Sequence, residues 1–194
     1  MTLHRVLVIV LCIAIGGCGA PPLKGKMVDR TYFSPDGEFS IVLAESFRPV
    51  QETVFADQTS VDILFEGDMT FFPVFGLETI EWLKLRRDMT ATEFSSTAPS
   101  LAREHVAQRF AANGSFEFAQ GEFVSGNDGA YRFLAIGTLR DRHTTWIGQI
   151  NHYGDRIAIV SFVQPEGGIG KPIQSLSGVS RYLSAWLSSV RRER

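Results

Sequence analysis

TTWIGQINHYGDRIAIVSFV, residues 144–163, decides the fold. Trp146 and Ile150 share one side of a period-two pattern with Ile157, Ile159 and Val163. Ile147 shares the other side with Ala158, Val160 and Phe162. Alternation of this kind marks strands, Thr144–His152 and Ile157–Val163, turning near Gly154. Large apolar residues on both faces place this hairpin in the middle of a sheet with cover above and below.

A second hairpin stands before it. Phe116–Val124 and Tyr131–Leu139 flank Gly126-Asn127-Asp128-Gly129, a strong turn signal. Upstream, Pro99–Ala112 reads as a helix with Leu101, Ala102, His105, Val106, Arg109 and Phe110 on one face. Thr97 or Ser100 would cap it and Asn113-Gly114 would stop it. The Thr- and Ser-rich residues 88–98 read as a loop, and Leu77–Arg87 as a strand. Val61–Glu66 is a further short apolar run. Phe71-Phe72-Pro73-Val74-Phe75 belongs at a sheet edge or bulge, because Pro73 has no N–H for a ladder. Tyr32–Leu43 forms a strand pair about the Pro35-Asp36-Gly37 turn.

Cover for the sheet comes after Gly167-Gly168-Ile169-Gly170. From Pro172, Ile173, Leu176, Val179, Leu183, Trp186, Leu187 and Val190 recur at helical spacing, and Arg191, Arg192 and Arg194 would complement the dipole of the helix end. The expected class is α+β: an antiparallel sheet sandwiched by helices, closed by a long amphipathic helix over Pro172–Val190.

The start of the chain carries a different message. Arg5 precedes an unbroken apolar run, Val6–Ile15, and the small residues Gly16 and Gly17 lead to Cys18. Ile15-Gly16-Gly17-Cys18 resembles the lipobox of bacterial lipoproteins, in which the cysteine is acylated and the preceding signal removed. The apolar run is shorter than the ~20 residues that a spanning helix needs. An ordinary cleaved signal and an uncleaved anchor are the alternatives. The expected organisation is a signal at 1–17, lipidated Cys18 and a flexible tether over 18–30, and one domain over 31–194. Cys12 and Cys18 are the two cysteines, so cleavage leaves one, and acylation would remove an otherwise reactive thiol. Gly19 follows Cys18 where Asp would mark inner-membrane retention in well-studied Gram-negative families. That resemblance implies an outer-membrane protein facing the periplasm.

Gly37-x-Phe39-Ser40-Ile41-x-Leu43 opens the domain. Antiparallel strands with an inserted helix follow, and Pro172–Val190 closes it. This order resembles the PsbP-like fold over about residues 31–190, although residues 66–90 do not match. That fold is shared by extrinsic photosystem proteins, a Ran-binding nuclear import factor and many bacterial lipoproteins. The resemblance brings no shared catalytic residues and implies binding or assembly.

Charge and motifs exclude more than they assign. A formal net charge of −2, or −3 without Arg5, argues against nucleic acid as a partner. His143 and His152 lie nine residues apart on one strand and on opposite faces, too far to share a metal. His105 faces inward on its helix and reads as a core histidine. No Gly-x-Ser-x-Gly elbow occurs. Gly167–Lys171 lacks P-loop spacing and is followed by Pro172. Asn113-Gly114-Ser115 matches a glycosylation sequon that a bacterial lipoprotein would not normally use.

No catalytic, metal or cofactor residue is therefore assigned, and no cofactor is expected. Cys18 is the lipidation site, and Phe71, Phe72 and Phe75 are a candidate partner surface. The expected function is a non-enzymatic, membrane-anchored module that binds another envelope protein. The alternative is a carrier of an apolar ligand or lipid, as lipoprotein-localisation factors are. An unrecognised hydrolase is a third reading.

Overall fold

The structure, a computed structural model, describes residues 25–42, 47–54, 61–67, 77–127, 129–165 and 173–193. Cys18, the Phe71–Phe75 cluster and the Gly167–Lys171 loop lie outside the described residues. Among the described residues, eleven strands form two antiparallel sheets. The large sheet has seven strands: β4 (Phe47–Val54), β5 (Val61–Gly67), β6 (Leu77–Lys84), β7 (Gly114–Phe123), β8 (Ala130–Leu139), β9 (Arg142–His152) and β10 (Arg156–Pro165). Their spatial order is β4-β5-β6-β10-β9-β8-β7, so β10 is the central strand, as its two apolar faces require.

The small sheet, in the order β1-β2-β3-β11, joins β1 (Lys26–Val28), β2 (Thr31–Phe33), β3 (Phe39–Val42) and β11 (Arg191–Arg192). β1 falls inside the stretch read as tether. Between β2 and β3, Gly37 takes φ 68°, and between β7 and β8 Gly126 takes φ 75°, where a side chain would be strained. Both turns were legible in the sequence. The β8–β9 turn was not. It uses Arg140 (φ 50°) and Asp141 (φ 62°), outside the usual Asn-Gly vocabulary.

Two apolar seams hold the layers. On one face of the large sheet, Phe94, Ala98, Ala102 and Val106 of helix α1 (Ala91–Gln108) pack against Phe133, Trp146, Ile150, Ile157, Ile159 and Val163. On the other, Tyr32, Phe39 and Ile41 of the small sheet join Leu183, Trp186 and Leu187 of helix α2 (Arg181–Leu187) over Ile80, Trp82, Ile147, Ala158 and Val160. Trp82 and Phe39 stack at 4.8 Å between ring centroids.

Two helix assignments are corrected. Residues 91–98, read as loop, are the first turns of α1, and the cap is Thr90 rather than Thr97 or Ser100. The Thr90 hydroxyl accepts the Glu93 N–H at 3.2 Å, while the Glu93 carboxylate accepts the Thr90 N–H at 2.8 Å. This capping box outweighs the loop-like composition. Pro99 sits inside the helix, and the Ser96 and Thr97 hydroxyls bond back to the Glu93 carbonyl, each at 2.8 Å.

The second correction concerns the closing segment. No continuous helix spans Pro172–Val190: a single 3₁₀ turn (Leu176–Gly178) gives way to extended Val179, and α2 begins afresh after Ser180, whose hydroxyl accepts the Leu183 N–H at 3.1 Å. Gly178 and the capping serine Ser180 break the helix, while the apolar residues keep their inward spacing. Arg191 and Arg192 then end no helix. They pair as a strand with Ser40 and Phe39. The face expected under one long helix is covered by a sheet and a short helix.

Candidate functional site

The residues singled out from sequence, Cys18, Phe71, Phe72 and Phe75, cannot be placed, since all four lie outside the described residues. His105 can. It sits on the inner face of α1, where its ring meets those of Trp146 and Phe133 edge-on. Its Nε2 lies 3.3 Å from Glu81 Oε1 on β6, and Arg109 Nε, one helical turn on, lies 3.3 Å from the same oxygen.

All three groups are largely removed from water, with side-chain exposures of 11% for His105, 10% for Glu81 and 21% for Arg109. Burial, and then the nearby Arg109 guanidinium, push His105 down to about 3. The ring is neutral at neutral pH, and its Nε2 faces Glu81 Oε1 without meeting hydrogen-bond geometry. The i, i+4 spacing of His105 and Arg109 on an inward face was the available signal for a buried anion opposite. Glu81, between Ile80 and Trp82, escaped notice because no strand pairing was known.

Chemically this trio is a latch. It brings two side chains of the helix within 3.3 Å of a carboxylate oxygen on β6 and so ties helix to sheet, while His105 stands against rings rather than a nucleophile. His143 and His152 both lie on β9. His152 Nε2 is 3.1 Å from the Gly154 carbonyl oxygen, and the ring stacks on Phe94. Among the described residues, no three His, Cys, Asp or Glu side chains converge as metal ligands would.

The opposite face carries a second polar cluster. Arg132 donates to Gln149 through Nε (3.1 Å) and Nη2 (2.7 Å), and to the Ser184 hydroxyl at 2.9 Å. Gln149 donates to Asn151 at 2.7 Å and to the Ser188 hydroxyl at 3.1 Å. Asn151 reaches the Leu187 carbonyl at 3.3 Å. Burial lowers the Arg132 pKa, partly offset by Glu122. These bonds fasten α2 to β8 and β9.

An open cleft of about 270 Å³ lies where β6 runs into α1, between Leu85, Met89 and Thr97. The Arg87–Glu93 ion pair (2.6 Å) stands at its rim, and the Arg87 hydrogen bond holds the Glu93 carboxyl down to about 2. The cleft falls below the ~300–1,000 Å³ usual for ligand sites.

No family model matches the chain, and no curated protein does. Solved structures do. The solution structure of cyanobacterial PsbP (CyanoP) from Synechocystis sp. PCC 6803 superposes with a TM-score of 0.53 at 11% identity, over 92% of this chain and 99% of that one. A crystal structure from Bacteroides thetaiotaomicron VPI-5482 gives a TM-score of 0.50 at 13% identity, over 87% of this chain and 50% of that one. The fold is PsbP-like.

Proposed function

We propose that this chain is an outer-membrane lipoprotein whose periplasmic PsbP-like domain acts without catalysis, binding another envelope protein in assembly. The observation that carries this reading is the position of Ile15-Gly16-Gly17-Cys18, after an apolar run and eight residues ahead of the first strand of a PsbP-like domain. A thioether-linked diacylglycerol on Cys18 would hold the domain at the bilayer, since two or more acyl chains anchor stably.

Both apolar seams are filled by large side chains: Trp82, Trp146, Phe39, Phe94 and Phe133 are fully buried. This favours a protein-binding module over a carrier of apolar ligands, which needs an open cavity. The test has two parts. Radiolabelled palmitate should enter the wild-type chain and not Cys18→Ser, and Cys18→Ser should leave the detergent phase on Triton X-114 partition. In-cell cross-linking should then capture a specific envelope protein. An unlabelled wild-type chain would sink the anchor; labelling without any cross-linked protein above background would sink the binding role.

A further inference from the structure

Three of the five large apolar side chains exposed among the described residues belong to the small sheet: Met27 (40%), Val28 (42%) and Val42 (38%). The strand registers show how they are arranged. Lys26, Phe33, Ser40 and Arg191 form one cross-strand row, and Val28, Thr31 and Val42 form the next. Positions two apart on a strand share a face, so both rows lie on the same side of the sheet. Met27, paired with Tyr32, points to the other side with Tyr32, Phe39 and Ile41, of which the last three are fully buried in the seam. The outer face thus carries valines flanked by half-buried Phe33 and Thr31, with buried Ser40 between Phe33 and Arg191, exposed Lys26 at one edge and exposed Arg191 at the other. Glu193 brings a negative charge to that end, but its carboxylate accepts from the Ser40 hydroxyl.

With Cys18 acylated, the covalent chain limits how far the β1 edge can stand from the bilayer. Lys26 stands eight positions after Cys18, a contour of no more than about 29 Å. A compact domain of this size has a radius of gyration of about 15 Å, hence a diameter of roughly 40 Å. An acylated Cys18 therefore holds the β1 edge near the bilayer, and the domain cannot turn that edge fully away.

We infer that the outer face of the small sheet docks on the phospholipid surface. Val28 and Val42 enter the headgroup boundary, and Lys26 and Arg191 meet lipid phosphates. This rests on the lipoprotein reading above, and it leaves α1 and the free edge of β7 turned toward the periplasm for a protein partner. The combination of apolar side chains, basic rim and covalent lipid is what an interfacial contact requires.

The experiment uses the mature, lipidated chain in vesicles of phosphatidylethanolamine and phosphatidylglycerol. Val28→Cys and Val42→Cys, with Glu104→Cys on the outer side of α1 as reference, are labelled with an environment-sensitive fluorophore. The expected result is a blue shift, and quenching by headgroup-spin-labelled lipid, at 28 and 42 but not at 104. Lys26→Glu with Arg191→Glu should abolish the quenching at 42 and leave the melting temperature unchanged.

Labels at 28 and 42 that behave like the one at 104 overturn the inference. So does protection in native membranes that protein-free vesicles fail to reproduce, which would assign the face to a protein. The mass of the Cys18 peptide separates the two levels. An acylated peptide with water-exposed 28 and 42 defeats only the docking; an unmodified peptide defeats the lipoprotein reading and the docking with it.

Discussion

Both carboxylate oxygens of Glu38 lie 2.7 Å from Arg156 Nη2, tying the turn before β3 to the first residue of the central strand. Glu38 also accepts the Trp82 indole N–H at 3.1 Å. The two partners are unequal: the Arg156 side chain is 3% exposed and that of Glu38 26%. Removing the carboxylate strands a buried cation, which costs about 3–5 kcal/mol, whereas Arg156→Met leaves an anion that water can reach. Urea unfolding should show Glu38→Ala as the more damaging change. Equal losses would contradict the asymmetry.

The Thr90–Glu93 capping box predicts that Thr90→Ala destabilises the protein by about 1 kcal/mol. Thr90→Ser should retain most of that, since its hydroxyl can still accept the Glu93 N–H. The comparison is read from urea midpoints at constant m. Thr97→Ala, which removes no cap, should have the smaller effect.

His105 makes stability depend on pH. Its folded-state pKa, about 3, lies below the ordinary value of 6.5. The unfolded chain therefore takes up the proton first as pH falls. The contribution is fully present above pH 6.5 and is lost progressively from there down to about 3, at no more than about 1.4 kcal/mol per pH unit. Thermal melts of wild type and His105→Asn over this window should converge as the pH drops. Parallel curves would mean that the histidine does not titrate on unfolding.

Gly148 on β9 lies against the ring of Phe133, and a Cβ at that position would collide with it. Phe133 is itself fully buried against Trp146 and cannot swing away. Gly148→Ala should therefore cost about 1–3 kcal/mol as an overpacking change. Phe133→Leu should relieve part of it in the double variant. A double-mutant cycle on melting temperature measures that coupling.

The strands of the large sheet were legible where alternation was unambiguous. Ile147, Ala158, Val160 and Phe162 fall on one seam and Trp146, Ile150, Ile157, Ile159 and Val163 on the other, as their parity required. Helix ends were harder, because a few side-chain hydrogen bonds decide them. Thr90 and Glu93 started α1 a full two turns before Pro99. The closing segment misled for another reason. Its apolar spacing suits a single helix, but the same residues can bury through a 3₁₀ turn, an extended link and a short helix. The Ser180 cap and Gly178 favour that broken path. The small sheet was only half visible, since β11 is two arginines long and owes its place to β3 rather than to any pattern of its own. Glu81 illustrates the limit at the site level. A carboxylate in an apolar strand acquires meaning only when tertiary packing brings His105 and Arg109 over it.

The pairing of β11 with β3 has a kinetic consequence. The Ser40–Glu193 bond closes a separation of 153 residues, and two backbone partners, Arg191 and Arg192, complete a sheet begun at Lys26. Contacts so distant in sequence slow folding, because chain entropy is lost before they return any stability. The small sheet cannot be finished until the chain is present through Glu193, so it closes only after synthesis has reached its last residues. Until then Tyr32, Phe39 and Ile41 lack part of their cover and present apolar surface to whatever the nascent chain meets. The stability of the finished fold and the exposure of the unfinished one thus fall on the same residues.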